Sequence, residues 1–175
     1  MNPILRSLAA LSILLLAGCQ SATQKAMCPA ANVLANTASL TVFRKGMEGD
    51  PSGELYTVEM TGVRLNCSFD KDEGTTDSDI EVTFSARRAP SGDASDYTVP
   101  YYIASVLNGA TILDKHIYAT AFSFQPGAAT ATFTAEIPST VTHLANGKKP
   151  WEYGVLAGLQ LTREQLDYLK AHGGP

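Results

Sequence analysis

IEVTFSARR, residues 80–88, sets Ile80, Val82, Phe84 and Ala86 at every second position. A period of two is the spacing of one face of an extended strand, and it fits no helix, because helical neighbours on a face recur every three or four residues. The same alternation returns as Ala131, Phe133, Ala135 and Ile137, and as Val155, Ala157, Leu159 and Leu161. In LYTVEMTGVRLNCSF it runs through Val58 and Met60, slips by one residue at Gly62, and resumes as Val63, Leu65, Cys67 and Phe69. A phase slip at a glycine is what a β-bulge or strand bend produces, and it puts Cys67 on the apolar face.

The breaks between these runs are turn-like. KDEGTTDSD, residues 71–79, reads as a hairpin connection, and APSGDASDYTVP, residues 89–100, as a loop rich in breakers. YYIASVLNGATILDKHIYATAFSF holds two strands around Asn108-Gly109, a two-residue turn in which both positions tolerate positive φ. CPAANVLANTASLTVF reads as a turn or helical turn leading into a strand. About seven strands with no helix–strand alternation imply an all-β fold, an antiparallel two-layer sandwich of immunoglobulin-like or fibronectin-like architecture. The antibody pattern of Cys and Trp is absent, since Trp151 follows both domain cysteines. One short helix closes the chain: Thr162 and Gln165 fit a capping box, Leu166 and Leu169 share a face that would dock on the sandwich, and Gly173-Gly174 would end it.

The first 18 residues have another character. Arg6 precedes an apolar centre, Leu8 to Leu16, which is about half the roughly 20 residues a bilayer-spanning helix needs, and small residues Ala17 and Gly18 follow. This is the layout of a secretory signal. Leu16 stands where an ordinary cleavage site wants a small residue, and Leu16-Ala17-Gly18-Cys19 resembles the lipobox of bacterial lipoproteins. That resemblance implies removal of residues 1–18, lipidation of Cys19, and attachment to a membrane through several acyl chains, where one chain alone holds only marginally. Gln20 in place of an aspartate leans toward the outer membrane. Residues 19–27 then form a short tether, and residues 28–175 a single domain.

Removing the signal leaves 157 residues, enough for one domain with a real core. It also leaves 12 basic against 17 acidic residues, a formal charge of −5, with no basic cluster beyond Arg87-Arg88 and Lys148-Lys149. Nucleic-acid binding, which needs a concentrated cationic footprint, is disfavoured. With Cys19 assigned to lipid, Cys28 and Cys67 are most simply a disulfide in an oxidising compartment, in preference to a redox or metal pair, since there is no CxxC and no histidine at ligand spacing.

No motif in the chain marks a catalytic chemistry. There is no GxSxG or SxxK, and His116, His143 and His172 fall in a strand, a loop and the tail. Asp70, Asp72 and Glu73 fail the EF-hand pattern and read as a solvated hairpin tip. Met27, Met47 and Met60 lack the grouping a copper site would need. No metal, cofactor or catalytic residue is expected. The aromatics Tyr97, Tyr101, Tyr102, Trp151 and Tyr153 are the remaining candidate binding surface, suited to sugar stacking or a protein interface, against an ordinary role in core packing.

The runs CPAANVLANTASLTVFRKG, VPYYIASV and YGVLAGLQLTREQLDYLK are similar to an uncharacterised lipoprotein family of alphaproteobacteria. The resemblance spans nearly the whole mature chain and implies an envelope location and a β-rich fold, with no site residues to carry over. The expectation is a non-enzymatic, lipid-anchored protein of the periplasmic face that binds an envelope protein partner, with open strand edges available for pairing. The alternatives are a glycan-binding module and a hydrolase of envelope glycan or lipid.

Overall fold

The computed structural model describes residues 28–90 and 93–172, so Cys19, the signal, the tether with Met27, and Gly173-Gly174 lie outside the described residues. Eight strands and one helix follow one another: β1 (Ala30–Val33), β2 (Ser39–Phe43), β3 (Glu54–Asp70), β4 (Thr75–Arg87), β5 (Ser95–Leu107), β6 (Thr111–Phe124), β7 (Thr130–His143), β8 (Tyr153–Leu159) and α1 (Arg163–Ala171). They form two four-stranded sheets, one ordered β1-β8-β5-β6 and the other β2-β3-β4-β7, which we call sheets A and B. The expected two-layer β-sandwich is therefore the architecture, and the likeness to immunoglobulin and fibronectin domains is one of layers, since each sheet here has its own strand order.

The alternating residues close the interior as their spacing requires. Val58, Val82, Phe84, Val99, Phe124 and Leu159 are fully buried. Phe84, from the central part of sheet B, meets Tyr101 of sheet A edge-on at 5.4 Å and stacks on Phe133 at 5.0 Å. Burying a side chain of that size stabilises by about 1.5–3 kcal/mol through water exclusion alone. The phase slip at Gly62 is real: the β3–β4 register shifts between Met60 and Gly62, so Met60 and Cys67 are both buried despite their odd separation. Asn108 and Gly109 both take positive φ, 52° and 70°, and join β5 to β6. Thr162 accepts from the Gln165 N–H, and the Gln165 side chain accepts from the Thr162 N–H at 2.8 Å, completing the capping box.

Three boundaries differ from the sequence expectation. Ala30–Val33 is an eighth strand, paired in parallel with β8 at the edge of sheet A, where a turn was expected. The β3–β4 connection narrows to Lys71–Gly74, because Thr76 and Ser78 are buried while Asp77 and Asp79 face out, continuing the strand with polar residues. β5 begins at Ser95, inside the segment read as loop. Pro100 is tolerated there because its carbonyl, and hence its imide side, points past the end of β8, where it accepts from the Gln160 N–H at 3.0 Å.

Cys28 and Cys67 are disulfide-bonded, with Cα atoms 5.8 Å apart. The bond ties the chain just before β1 of sheet A to an interior strand of sheet B. α1 packs on β2 with Tyr168 edge-on to Phe43 at 5.0 Å, while Leu166 and Leu169 are half-buried. No described helix is long and apolar enough to cross a membrane.

Candidate functional site: sheet edges and outer faces

The five aromatics singled out from the sequence do not share a surface. Tyr101 and Tyr102 are consecutive in β5, so their side chains take opposite faces. Tyr101 points inward and lies 5.6 Å from Tyr118, and burial pushes its hydroxyl above the usual range, with the neighbouring Tyr118 adding to the shift. Tyr97, half-buried, sits 4.4 Å from Tyr56 within the aromatic end of the core. Tyr102 is buried on the outer face of sheet A, its hydroxyl 2.9 Å from that of Thr37 and its ring beneath the Lys115 ammonium at 4.1 Å. Tyr153 is also buried, and its hydroxyl accepts from the Ala145 N–H at 2.7 Å, fastening the loop after β7. Trp151 alone of the five presents its ring to solvent, at 56% exposure.

Trp151 sits in a tight 3-10 turn, Pro150–Glu152, that local hydrogen bonds hold in place. Glu152 accepts from the Lys149 N–H at 2.8 Å and pairs with Lys148 at 2.9 Å. Its carboxyl is held below the usual range, first by the Lys148 hydrogen bond and then by the Lys149 N–H. Lys148 is raised by the same contact.

The other polar candidates have structural partners. His116 contacts Asp114 at 2.6 Å on the exposed part of β6, a surface pair of small energetic weight. His172 stacks on Tyr168 at 4.0 Å. Asp70 accepts from the N–H groups of Asp72 and Glu73 at 2.9 and 3.0 Å, which makes it the organiser of the β3–β4 turn. Met60 belongs to the core, and Met47 lies against Gly53. Among the described residues no three His, Cys, Asp or Glu side chains come together as a metal site. Arg88, which no motif marks, donates to Ala128, Asp93 and Gln125 carbonyls and to Ser95, and lies 4.4 Å over Phe124, closing the end of the sandwich opposite the disulfide.

The free edges differ in how well they resist pairing. β1 and β2 are short, four and five residues, and α1 packs against β2. β6 carries a bulge at Leu113, Lys115 on one face, and the Asp114–His116 pair on the other. Each of these features discourages a second strand from adding. β7 is protected only in its second half, by Pro138 and the irregularity opposite Ser78–Ile80. From Thr130 to Glu136 it pairs residue for residue with β4 on one side, with no proline, lysine or bulge.

The outer faces of the sheets also differ. Cross-strand partners share a face. Across sheet B the outward rows hold Arg64 and Glu81, Asn66 and Asp79, Ser85 and Thr132. Across sheet A one row runs Ala30, Gly154, Val106, Ile112, the next Asn32, Leu156, Ala104, Lys115, and the third Gly158, Tyr102, Ile117. Sheet B turns a polar face outward, whereas the outer face of sheet A is mostly apolar, with Asn32 and Lys115 at the two ends of its middle row.

No family model matches the chain, and neither a curated protein nor a solved structure is found to be similar to it. The fold class, an all-β sandwich, rests on the chain's own geometry.

Proposed function

We propose that this chain is a lipid-anchored protein of the bacterial cell envelope, held on the periplasmic side through acyl chains on Cys19, and that it acts by binding a protein partner and not by catalysis. The lipobox reading supports the anchor, and Gln20 favours the outer membrane over the inner. The observation that carries the binding reading is the unguarded edge of β7. Thr130–Glu136 offers seven residues of flat strand whose outer backbone groups have no neighbour in the sheet. An extended partner segment adds there by main-chain hydrogen bonds, with Thr132 and Thr134 on one face and Ala131, Phe133 and Ala135 on the other reading its side chains.

The test is a photo-crosslinking side chain at Thr132 in living cells. The reading expects one discrete protein adduct that disappears when Thr130→Lys and Thr134→Lys are added, because edge lysines oppose strand addition without touching the core. An adduct pattern indifferent to those lysines, in a protein whose thermal unfolding is unchanged, would overturn it.

A further inference from the structure

We propose that the apolar outer face of sheet A lies on the bilayer to which the chain is anchored. The inference rests on the anchor reading above and adds which side of the sandwich meets lipid. Soluble sandwiches alternate apolar-in and polar-out, and sheet B does so. The half of sheet A nearest the Asn108-Gly109 turn breaks that rule: Ile112 and Ile117 project outward at 63% and 62% exposure, flanking the small or buried outer residues Val106, Ala104 and Gly154, with Lys115 between them drawn over the Tyr102 ring at 4.1 Å. Trp151 stands at the rim of the same face, since the Asn108 N–H donates to the Glu152 carbonyl at 2.7 Å and Trp151 lines a groove with Val106, Gly154 and Leu156. Lys149, two residues earlier, is exposed.

The chain's own connectivity identifies the occupant. Cys28 enters the fold two residues before Ala30, the first member of the apolar row, and the disulfide holds it there. Only residues 20–27 separate it from Cys19, a run that reaches about 30 Å at full extension. An acylated Cys19 thus keeps this face within one protein diameter of the membrane surface. A flat lipid surface needs no shape match, and Trp and Lys at the edge of an apolar patch are the residues that settle at the lipid–water boundary. The acidic turn Asp70–Glu73 borders a groove with Lys148, Lys149 and Trp151, so its carboxylates share the rim with these two lysines.

Trp151 is the sole tryptophan, so its emission reports this position without ambiguity. Full-length protein is purified from membranes, its acylation verified by mass, and reconstituted into phosphatidylethanolamine–phosphatidylglycerol vesicles with or without acyl chains brominated near the headgroup. The expected result is a blue-shifted emission quenched about twofold by the brominated lipid, and largely relieved in an Ile112→Asp/Ile117→Asp variant, which alters only exposed positions. Acylated protein whose Trp151 is neither shifted nor quenched overturns the face assignment and leaves the anchor standing. Protein without acyl chains overturns both. A photo-crosslinker at Ile117 that yields a protein adduct instead of a lipid adduct in cells also overturns the assignment, because it would give the face to a polypeptide.

Discussion

The ring of Tyr102 lies across Gly158 of the neighbouring strand, so that a Cβ on Gly158 would stand 2.6 Å from the tyrosine hydroxyl oxygen and 2.7 Å from the ring carbon that bears it. The Thr37 hydroxyl closes the same space from the turn between β1 and β2. Three segments far apart in sequence thus meet over one missing side chain. Gly158→Ala should destabilise the fold by about 1–3 kcal/mol, the usual cost of forcing a methyl group into a packed site. Tyr102→Phe, which keeps the ring and loses the bond to Thr37, should cost only about 1 kcal/mol. Chemical denaturation of the two variants checks the order: a Gly158→Ala protein as stable as the parent would show that the ring does not rest there.

The disulfide encloses a separation of 39 residues between Cys28 and Cys67. On the chain-entropy account, cross-linking such a loop stabilises by about 4 kcal/mol. A Cys28→Ser/Cys67→Ser variant should therefore unfold at distinctly lower denaturant. Its amide exchange should rise first in β1, a four-residue strand held otherwise by one parallel pairing. Exchange that rises uniformly, with β1 no more labile than β3, would contradict the role assigned to the bond.

Arg88 is the counterpart of the disulfide at the other end, gathering carbonyls from the β4–β5 and β6–β7 connections around one guanidinium. Arg88→Ala should lower stability by about 2 kcal/mol, since hydrogen bonds to a charged group are lost and carbonyls are left to water. Arg88→Lys should recover little of this, because one ammonium cannot reproduce the planar fork. Recovery of full stability by lysine would mean that charge alone matters there.

What could be read from the residues depended on whether one strand carried the whole signal. The alternation of β4, the bulge at Gly62, the Asn108-Gly109 turn and the capping box at Thr162 are local patterns, and each is present in the structure. β1 is not legible in the sequence because four residues carry no period, and its partner Gly154–Ala157 lies at the far end of the chain. Tyr97, Tyr101 and Tyr102 are close in sequence, but the neighbours Tyr101 and Tyr102 point to opposite faces of any strand. The apolar outer face did leave a trace: YYIASV and VLAGL are apolar at both parities, the pattern of a strand covered on two sides. The exposure of Trp151 left none, because it depends on a turn held by Glu152 and Lys148.

Acid should weaken the fold at its turns. The carboxyls of Glu48, Asp50, Glu152 and Glu164 are all held below their ordinary values. The largest causes are the Gly46 N–H, the Ser52 N–H, the Lys148 side chain and the helix-start N–H of Glu164 itself. A depressed carboxyl leaves the folded state with fewer bound protons than the unfolded chain, so its contribution is complete above the ordinary values of 4.5 for Glu and 3.8 for Asp and is lost as pH falls through the folded values. Burial raises the Tyr56 and Tyr101 hydroxyls above 10.0, so their contribution is present below that pH and lost as pH climbs past it. Thermal unfolding should be nearly level between these limits and decline outside both. Glu152→Gln should flatten part of the acid decline, and a variant with an unaltered acid limb would remove Glu152 from the account.

The proposed anchor on Cys19 is the central claim, and the mass of the mature amino-terminal peptide tests it most directly. Protein isolated from the membranes of its native host should begin at Cys19 and carry the added mass of a diacylglyceryl group, with a further acyl chain on its amine in a host that adds one, and Cys19→Ser should remain uncleaved and unlipidated. A native chain that keeps residues 1–18, or begins at an unmodified Cys19 or elsewhere, would contradict the account.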